Sequence, residues 1–386
     1  MRAQNADRLV DVIKYQLNQR LVLLQKLISS ENKKYIYGAG MCAQNTCALL
    51  REYTIEAEGF CVDREYYKEN THIMDRGVYC ISDIENDTDD IDLIIGFENR
   101  ARAMEVIKRY SGTKVKVYFF EDLFCFRSMD YKFFIENIAS FQKAYELLED
   151  ELSREIFVAH INSRISNDYT EISRYDSKLD YGYDFSLLKI GEQEVFVDCG
   201  AFDGDTIEEL LRYTNGKYKK IIAFEPDEKN YDILKNKIAD HENISVIKSG
   251  VSDIDDVKKF YNDGSLYSNF VDTGLWGEKT RRDVYNDVDD YISVPVCKMD
   301  DRIKGEGVTV IKMDIEGSEL SALRGAEKII TEYHPKLAIC IYHKGEDLFS
   351  CINYIDSIVG DGVYRYYVRH HSDNITETVL YAVPIN

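Results

Sequence analysis

The sequence predicts an α/β chain: two doubly wound, Rossmann-like domains joined by a helical segment, the C-terminal one a seven-stranded sheet with an antiparallel last strand. Three observations predict it. Short apolar, strand-like runs alternate with helix-period segments in two separate series. Each series opens on a run that breaks into a glycine turn before a helix, "YIYGAGMCA" and "VFVDCGAFDGDT". Only four prolines occur, so no proline-rich linker parts the series, and helical periodicity fills the gap instead.

Length and composition bound what such a chain does. With 386 residues, 45% of them hydrophobic, it can hold two or three domains, each with its own core. A formal charge of −21 disfavours nucleic acid, whose binders neutralise phosphate with a basic face, and also disfavours anionic lipid. No apolar run approaches the length of a bilayer, so no membrane span is expected. The opening "MRAQNADRLVDVIKYQLNQRL" is charged throughout and does not read as a signal peptide. Nine cysteines lie scattered without a C-x-x-C pair, several of them (Cys61, Cys199, Cys340) inside apolar runs. That usage fits buried, reduced thiols in a cytoplasmic protein.

Residues 1–31 are expected to form an amphipathic helix, with Leu9, Ile13, Leu17, Leu21, Leu24 and Ile28 on one face. Such a face packs on the next domain or on a second copy, which makes a homodimer a candidate assembly. Residues 32–130 form the small Rossmann-like domain. A strand over Tyr35–Tyr37 meets Gly38-Ala39-Gly40 and a helix pattern; "IEAEGFCVD", "IDLIIGF" and "KVKVYFF" supply further strands. Gly38, Gly40 and Ala43 spell G-x-G-x-x-A, and Asp63 ends the next strand about 20 residues later. This matches a dinucleotide fingerprint, making Gly38, Gly40 and Asp63 a candidate nucleotide or nucleotide-sugar site. It also raises a rival function, an NAD(P)-dependent oxidoreductase. Residues 131–190 read as a helical linker region, with Phe134, Ile138, Phe141, Tyr145, Leu148, Leu152 and Ile156 at helical spacing, running into a polar, tyrosine-rich stretch.

The second series occupies residues 191–386. "EVFVDCG", "KIIAFEP", "ISVIKSGVSD", "TVIKMDIEG" and "KLAICIYH" are parallel strands, and "YRYYVRHH" and "ETVLYAVP" close the sheet as a hairpin joined by "HSDNIT". Strand ends of such a sheet carry the ligand crevice. At the first of them three acids, Asp198, Asp203 and Asp205, crowd the glycine turn, where a pyrophosphate would be repelled. Asp205 reads equally as a helix-start acid. S-adenosylmethionine suits the turn: it has no phosphate, and its sulfonium and ammonium would meet the acids. Gly200 and Gly204 would let the backbone approach it closely. Glu225, followed by Pro226, ends the second strand about 25 residues after Gly200, where a carboxylate accepts from both ribose hydroxyls. Asp253, after the third strand, is a candidate acceptor for the adenine amino group.

Taken in order, "VFVDCGAFDGDT", "AFEPD", "VSD", "IKMDIEGSELSALRGAEKII" and "HPKLAICIYHKGEDLF" resemble the FkbM family of S-adenosylmethionine-dependent methyltransferases. D-x-E-G-x-E followed by L-x-G-A is the most specific mark, and the likeness spans about Glu194 to Pro384. The resemblance implies a seven-stranded methyltransferase sheet and S-adenosyl-L-methionine as cofactor. It implies a small-molecule or glycan acceptor, in most members an O-methylated sugar, polysaccharide or secondary metabolite.

Two residues at adjacent strand ends are placed to take an acceptor's proton. His343 has the better ordinary pKa for a base at neutral pH, with Asp314 or Glu316 orienting it or the acceptor. No spacing is diagnostic of a metal centre and no metal is expected, although Asp314, Glu316, Glu319 and His343 offer oxygen and nitrogen ligands for Mg²⁺ or Mn²⁺. The segment Tyr261–Arg282, with Tyr267, Phe270 and the only tryptophan, Trp276, is expected to form part of the acceptor wall.

Overall fold

The computed structural model describes residues 8–85, 90–121, 129–261, 269–270 and 291–385. The chain divides into two compact units, one of Tyr15–Tyr131 with Ser163–Tyr169, the other of Met1–Lys14, Lys132–Asn162 and Thr170–Asn386.

The first unit is built on six strands: β1 (Lys33–Tyr37), β2 (Gly59–Val62), β3 (His72–Ile73), β4 (Arg76–Cys80), β5 (Ile91–Ile95) and β6 (Val115–Tyr118). Their order is β3-β4-β2-β1-β5-β6. All pairs are parallel except the short β3–β4 ribbon, which the hydrophobic pattern did not announce. β5, between β1 and β6, is buried along its whole length, because helices cover both faces of a doubly wound sheet. Ile36, Phe60 and Ile94 pack on one face with Ala43 and Cys47; Tyr37, Cys61 and Leu93 pack on the other with Ala103 and Val106.

The expected single N-terminal helix is in fact two, Leu9–Val12 and Gln19–Ser29. Asn18 starts the second afresh, its side chain accepting from the Arg20 N–H at 2.8 Å. The apolar stripe is accordingly split. Leu9, Leu24 and Leu27 are buried, whereas Leu17, Leu21 and Ile28 remain exposed.

The second unit carries β7 (Val195–Cys199), β8 (Lys220–Phe224), β9 (Ile244–Ile247), β10 (Gly250–Val251), β11 (Asp256–Tyr261), β12 (Asn269–Phe270), β13 (Tyr291–Cys297), β14 (Val310–Met313), β15 (Lys336–Cys340), β16 (Tyr364–His370) and β17 (Thr378–Pro384). The main sheet has seven strands in the order β16-β17-β15-β14-β7-β8-β9, with β17 antiparallel to both neighbours. The last strand inserts between β15 and β16 rather than adding at the edge. The expected third strand splits in two: β9 stays in the main sheet and β10 pairs with β13 in a separate four-stranded sheet. Within this unit the helix Ile138–Leu147 packs on the helix Asp347–Val359, where the Phe141 and Phe349 rings lie 4.6 Å apart. That aromatic contact makes the predicted linker helices part of the unit's core.

Candidate active site

The turn after β7 is shaped by steric exclusion. Gly200 has φ +79°, and a Cβ there would fall 2.0 Å from the Asp314 carbonyl oxygen. Only glycine lets the ends of β7 and β14 approach so closely. The N–H groups of Gly200 and Ala201 both donate to the Phe224 carbonyl at 3.1 Å, tying the turn to the end of β8. Gly204, at φ +91°, then opens the helix Asp205–Tyr213.

Glu225 closes the loop between these strand ends. Its carboxylate accepts from the Phe202 N–H at 2.9 Å and from the Asp227 N–H at 2.8 Å, one bond to each oxygen. Each oxygen keeps a lone pair for a further donor. Burial pushes this carboxyl up to about 7 in spite of the two backbone donors. The neighbouring Pro226 is half-buried, and Asp227 caps the helix Glu228–Lys237.

The acids predicted to collar the turn separate. Asp198 is fully buried beside Lys312, its register partner on β14, at 3.0 Å. The two charges stand off the line of a good hydrogen bond, and both Asp198 oxygens lack a donor. Burial raises Asp198 to about 6, and Lys312 is held charged because the attraction of Asp198 and Asp314 outweighs its own burial. The Lys312 ammonium also donates to the Gly200 carbonyl at 2.8 Å, so the pair braces the turn from beneath. Asp203 is half-exposed and accepts from Lys237 at 2.8 Å. Asp205 lies in the first helical turn, where it complements the helix dipole. Asp253 accepts from the Ser321 hydroxyl at 2.8 Å. A Cβ on Gly325, the glycine of L-x-G-A, would sit 1.9 Å from the Ser252 carbonyl oxygen, so that motif glycine seats its helix against the Asp253 loop.

Asp314, Glu316 and His343 do converge. The His343 Nε2 lies 3.4 Å from Asp314 Oδ1 and 3.5 Å from Glu316 Oε2, and its Nδ1 lies 3.0 Å from Glu319 Oε1. Burial alone would lower His343, but the carboxylates of Glu319 and Glu316 outweigh it and hold the ring well above its ordinary pKa. The imidazole has no exposed surface, whereas Asp314 and Glu316 keep 26% and 21% of theirs, so the carboxylates and not the ring are open to solvent. Glu316 sits at φ +51° and Gly317 at φ +86°. A non-glycine residue in that region is strained, and such strain concentrates at functional sites. Glu319 is fixed in turn by the Ile315 N–H at 3.0 Å.

Three further groups at this site escaped the sequence reading. The Tyr342 hydroxyl donates to Asp314 Oδ1 at 3.2 Å. Asp347 lies buried behind His343, grouped with Glu319 about the ring. Glu377 is pushed up to about 7 by burial and by the charge of Asp314. Only the insertion of β17 beside β15 brings Glu377 here, and no local motif marks it. Asp347 had a weak signal as a helix-start acid. Of the expected acceptor wall, Tyr267 and Trp276 lie outside the described residues.

The first glycine turn is built differently. Gly38 is required, with φ +133° and a Cβ position 2.8 Å from the Gly96 carbonyl oxygen, but a Cβ on Gly40 would meet nothing within 4 Å. Both oxygens of Asp63 accept from the Tyr37 hydroxyl, at 2.7 and 2.8 Å, and Oδ2 also from Arg102 at 3.1 Å.

Residues 198–366 match the family model of the methyltransferase FkbM domain. No curated protein matches the chain. Among solved structures, the chain is similar to methyltransferase FkbM from Methylobacillus flagellatus KT, at 24% identity and a TM-score of 0.72, covering 97% of this chain and 95% of that one. At that identity the likeness establishes a shared fold. An rRNA methylase from Streptococcus thermophilus aligns with 51% of this chain and 90% of its own, at 16% identity and a TM-score of 0.31. Aeropyrum pernix fibrillarin, crystallised with S-adenosyl-L-methionine, aligns with 50% of this chain and 69% of its own, at 11% identity and a TM-score of 0.29. Among the described residues no helix is long and apolar enough to cross a membrane. The stretch that matches, residues 198–366, includes the braced glycine turn and the D-x-E-G cluster, so this part of the chain carries a methyltransferase domain of the FkbM type, with S-adenosyl-L-methionine as its cofactor.

Proposed function

We propose that the chain methylates a hydroxyl oxygen of a sugar, polysaccharide or other neutral polyhydroxylated metabolite. One observation carries this reading: the reachable edge of the site presents the carboxylates of Asp314 and Glu316, with Glu377 in electrostatic reach. Hydroxyl groups donate to such an edge, whereas phosphate-rich or carboxylate acceptors are repelled.

The donor set fits the cofactor. Glu225 retains lone pairs for two ribose hydroxyls, and the backbone between Gly200 and Gly204 has no side chain to hold a ligand away. Asp253 would receive the adenine amino group and Pro226 would flank the ribose. Asp198, with its two oxygens lacking donors, would stabilise positive charge from beneath the turn, and Asp203 would line its outer side. Bound S-adenosylmethionine supplies an electrophilic methyl carbon on a sulfonium sulfur.

The chain's own contribution is alignment and proton removal. Asp314 accepts the acceptor hydroxyl's proton, its carboxylate oriented by the Tyr342 hydroxyl. Glu316, held at its strained φ, takes a hydrogen bond from a neighbouring hydroxyl. His343 becomes a positioning residue, because its ring is enclosed while Asp314 is reachable. The base thus moves one strand from where its ordinary pKa suggested. Transfer of label from isotopic S-adenosylmethionine to extracted neutral cell-surface glycans, recovered as a sugar methyl ether, is the expected result. Label found only on amines or on nucleic acid would overturn it.

Three finer parts belong to the same reading. Eight free cysteines among the described residues support a cytoplasmic location. The exposed Leu17, Leu21 and Ile28 support a homodimer, which sedimentation equilibrium would test. A nucleotide-sugar or nicotinamide at Gly38 and Gly40 finds less support, because Asp63 is already engaged by Tyr37 and Arg102. Calorimetric titration of both ligand classes checks it.

A further inference from the structure

The arrangement around His343 leaves a question that methyl transfer alone does not answer. The ring is buried, yet neither nitrogen makes a hydrogen bond of normal geometry, although carboxylate oxygens stand 3.0 to 3.5 Å away. A protonated ring held by carboxylates would be expected to aim its N–H groups at them. Two of those carboxylates, Asp314 and Glu316, face Nε2 together, and one oxygen from each lies with that nitrogen in a group whose members are all within 4.8 Å of one another. Atoms that share one divalent ion at about 2.0–2.2 Å stand about 3.0–3.5 Å apart. The separations here, 3.4 and 3.5 Å to Nε2, fall in that range.

We propose that Asp314, Glu316 and the Nε2 of His343 bind a divalent cation of the Mn²⁺ or Zn²⁺ class on the acceptor side of the methyltransferase site. Two carboxylate oxygens and one imidazole nitrogen suit a borderline-hard ion. The surroundings supply what a ligating histidine needs. Glu319 Oε1 lies 3.0 Å from Nδ1 and is itself fixed by the Ile315 N–H, the carboxylate–histidine–metal arrangement that sets tautomer and ring orientation. Asp347 is grouped with Glu319 about the same ring, one atom of each within 4.8 Å of the others. The partial exposure of Asp314 and Glu316 leaves coordination positions open to a substrate hydroxyl, whose acidity the cation would raise, and Asp314, ligating through Oδ1, keeps its other oxygen to take that hydroxyl's proton. This inference rests on Asp314 and Glu316 forming the acceptor side.

Titration of the purified, chelator-treated full-length chain with Mn²⁺, followed by electron paramagnetic resonance and by calorimetry, tests it. One bound Mn²⁺ per chain is expected, displaced by Zn²⁺. The double variant Asp314→Asn/Glu316→Gln should weaken binding at least ~100-fold, and Glu319→Gln, which leaves all three ligands in place, about 10- to 100-fold. Circular dichroism and the S-adenosylmethionine affinity establish that the variants fold. Absence of saturable binding of either ion, or affinity unchanged in the folded double variant, overturns the site. Methyl transfer to a glycan that persists without metal binding would sink the cation and spare the acceptor reading. Metal binding without methyl transfer to any hydroxyl would do the reverse.

Discussion

The two glycine turns make opposite impressions at the level of letters and of atoms. "YGAGMCA" with Asp63 has the better dinucleotide spacing, yet a side chain at Gly40 would meet nothing and Asp63 is spent on Tyr37 and Arg102. "VFVDCGAFDGDT" departs from that spacing, yet Gly200 is demanded by a carbonyl 2.0 Å from its missing Cβ, and Glu225 is held by backbone donors that leave it acceptor capacity. A spacing motif reports where a chain turns. Whether a ligand is served depends on what the strand-end acid is already bonded to.

The sharpest way to break this comparison is at the reacting edge. Asp314→Asn should lower methyl-transfer turnover about 100- to 10,000-fold, the range for loss of a general base, with S-adenosylmethionine affinity nearly unchanged. Asp63→Asn should leave turnover intact. Equal losses in the two variants, read from labelled methyl transfer, would show that the first turn shares in catalysis.

Next in size is the steric contrast. Gly200→Ala should cost about 3–5 kcal/mol of stability, since both its φ and the Asp314 carbonyl forbid a side chain. Gly40→Ala should stay within about 1 kcal/mol. Thermal denaturation of the pair settles it, and similar melting temperatures would refute the account of the turn.

A smaller effect separates the two strand-end acids. Glu225→Gln should weaken S-adenosylmethionine binding about 10- to 100-fold, as expected when hydrogen bonds to a charged group are lost. Asp63→Asn should not change it. The smallest effect is the pH slope. Burial raises Glu225 to about 7, so the free protein takes up a proton there as pH falls, and a protonated carboxyl no longer accepts from both ribose hydroxyls. Affinity should therefore be level above pH 8 and drop by up to about 10-fold per pH unit below 7. A calorimetric series that keeps this slope in Glu225→Gln would assign it to another group.

Much of this site was legible because it is local. Asp198, Gly200, Gly204 and Glu225 stand at the ends of runs whose apolar period announces strands, and a doubly wound sheet places strand ends at one crevice. Asp314 and His343 were paired for the same reason, as the ends of adjacent strands. The split of the N-terminal stripe was not legible, since spacings of three and four fit two short helices as well as one long one. Nor was the diversion of β10 and β13 into a second sheet, which depends on pairing between segments far apart in the chain.

By itself, then, the sequence determined the alternation of elements, the two turns, the cofactor class and the acids at the strand ends, because each follows from side-chain period or from residues a few positions apart. Tertiary structure alone decided how those acids are occupied. Lys312 meets Asp198 because β14 pairs with β7 in that register, and Glu377 joins Asp314 because β17 threads between β15 and β16. His343, a candidate base at a strand end, is an enclosed ring among carboxylates because burial and long-range charge act across strands, where no sequence spacing records them.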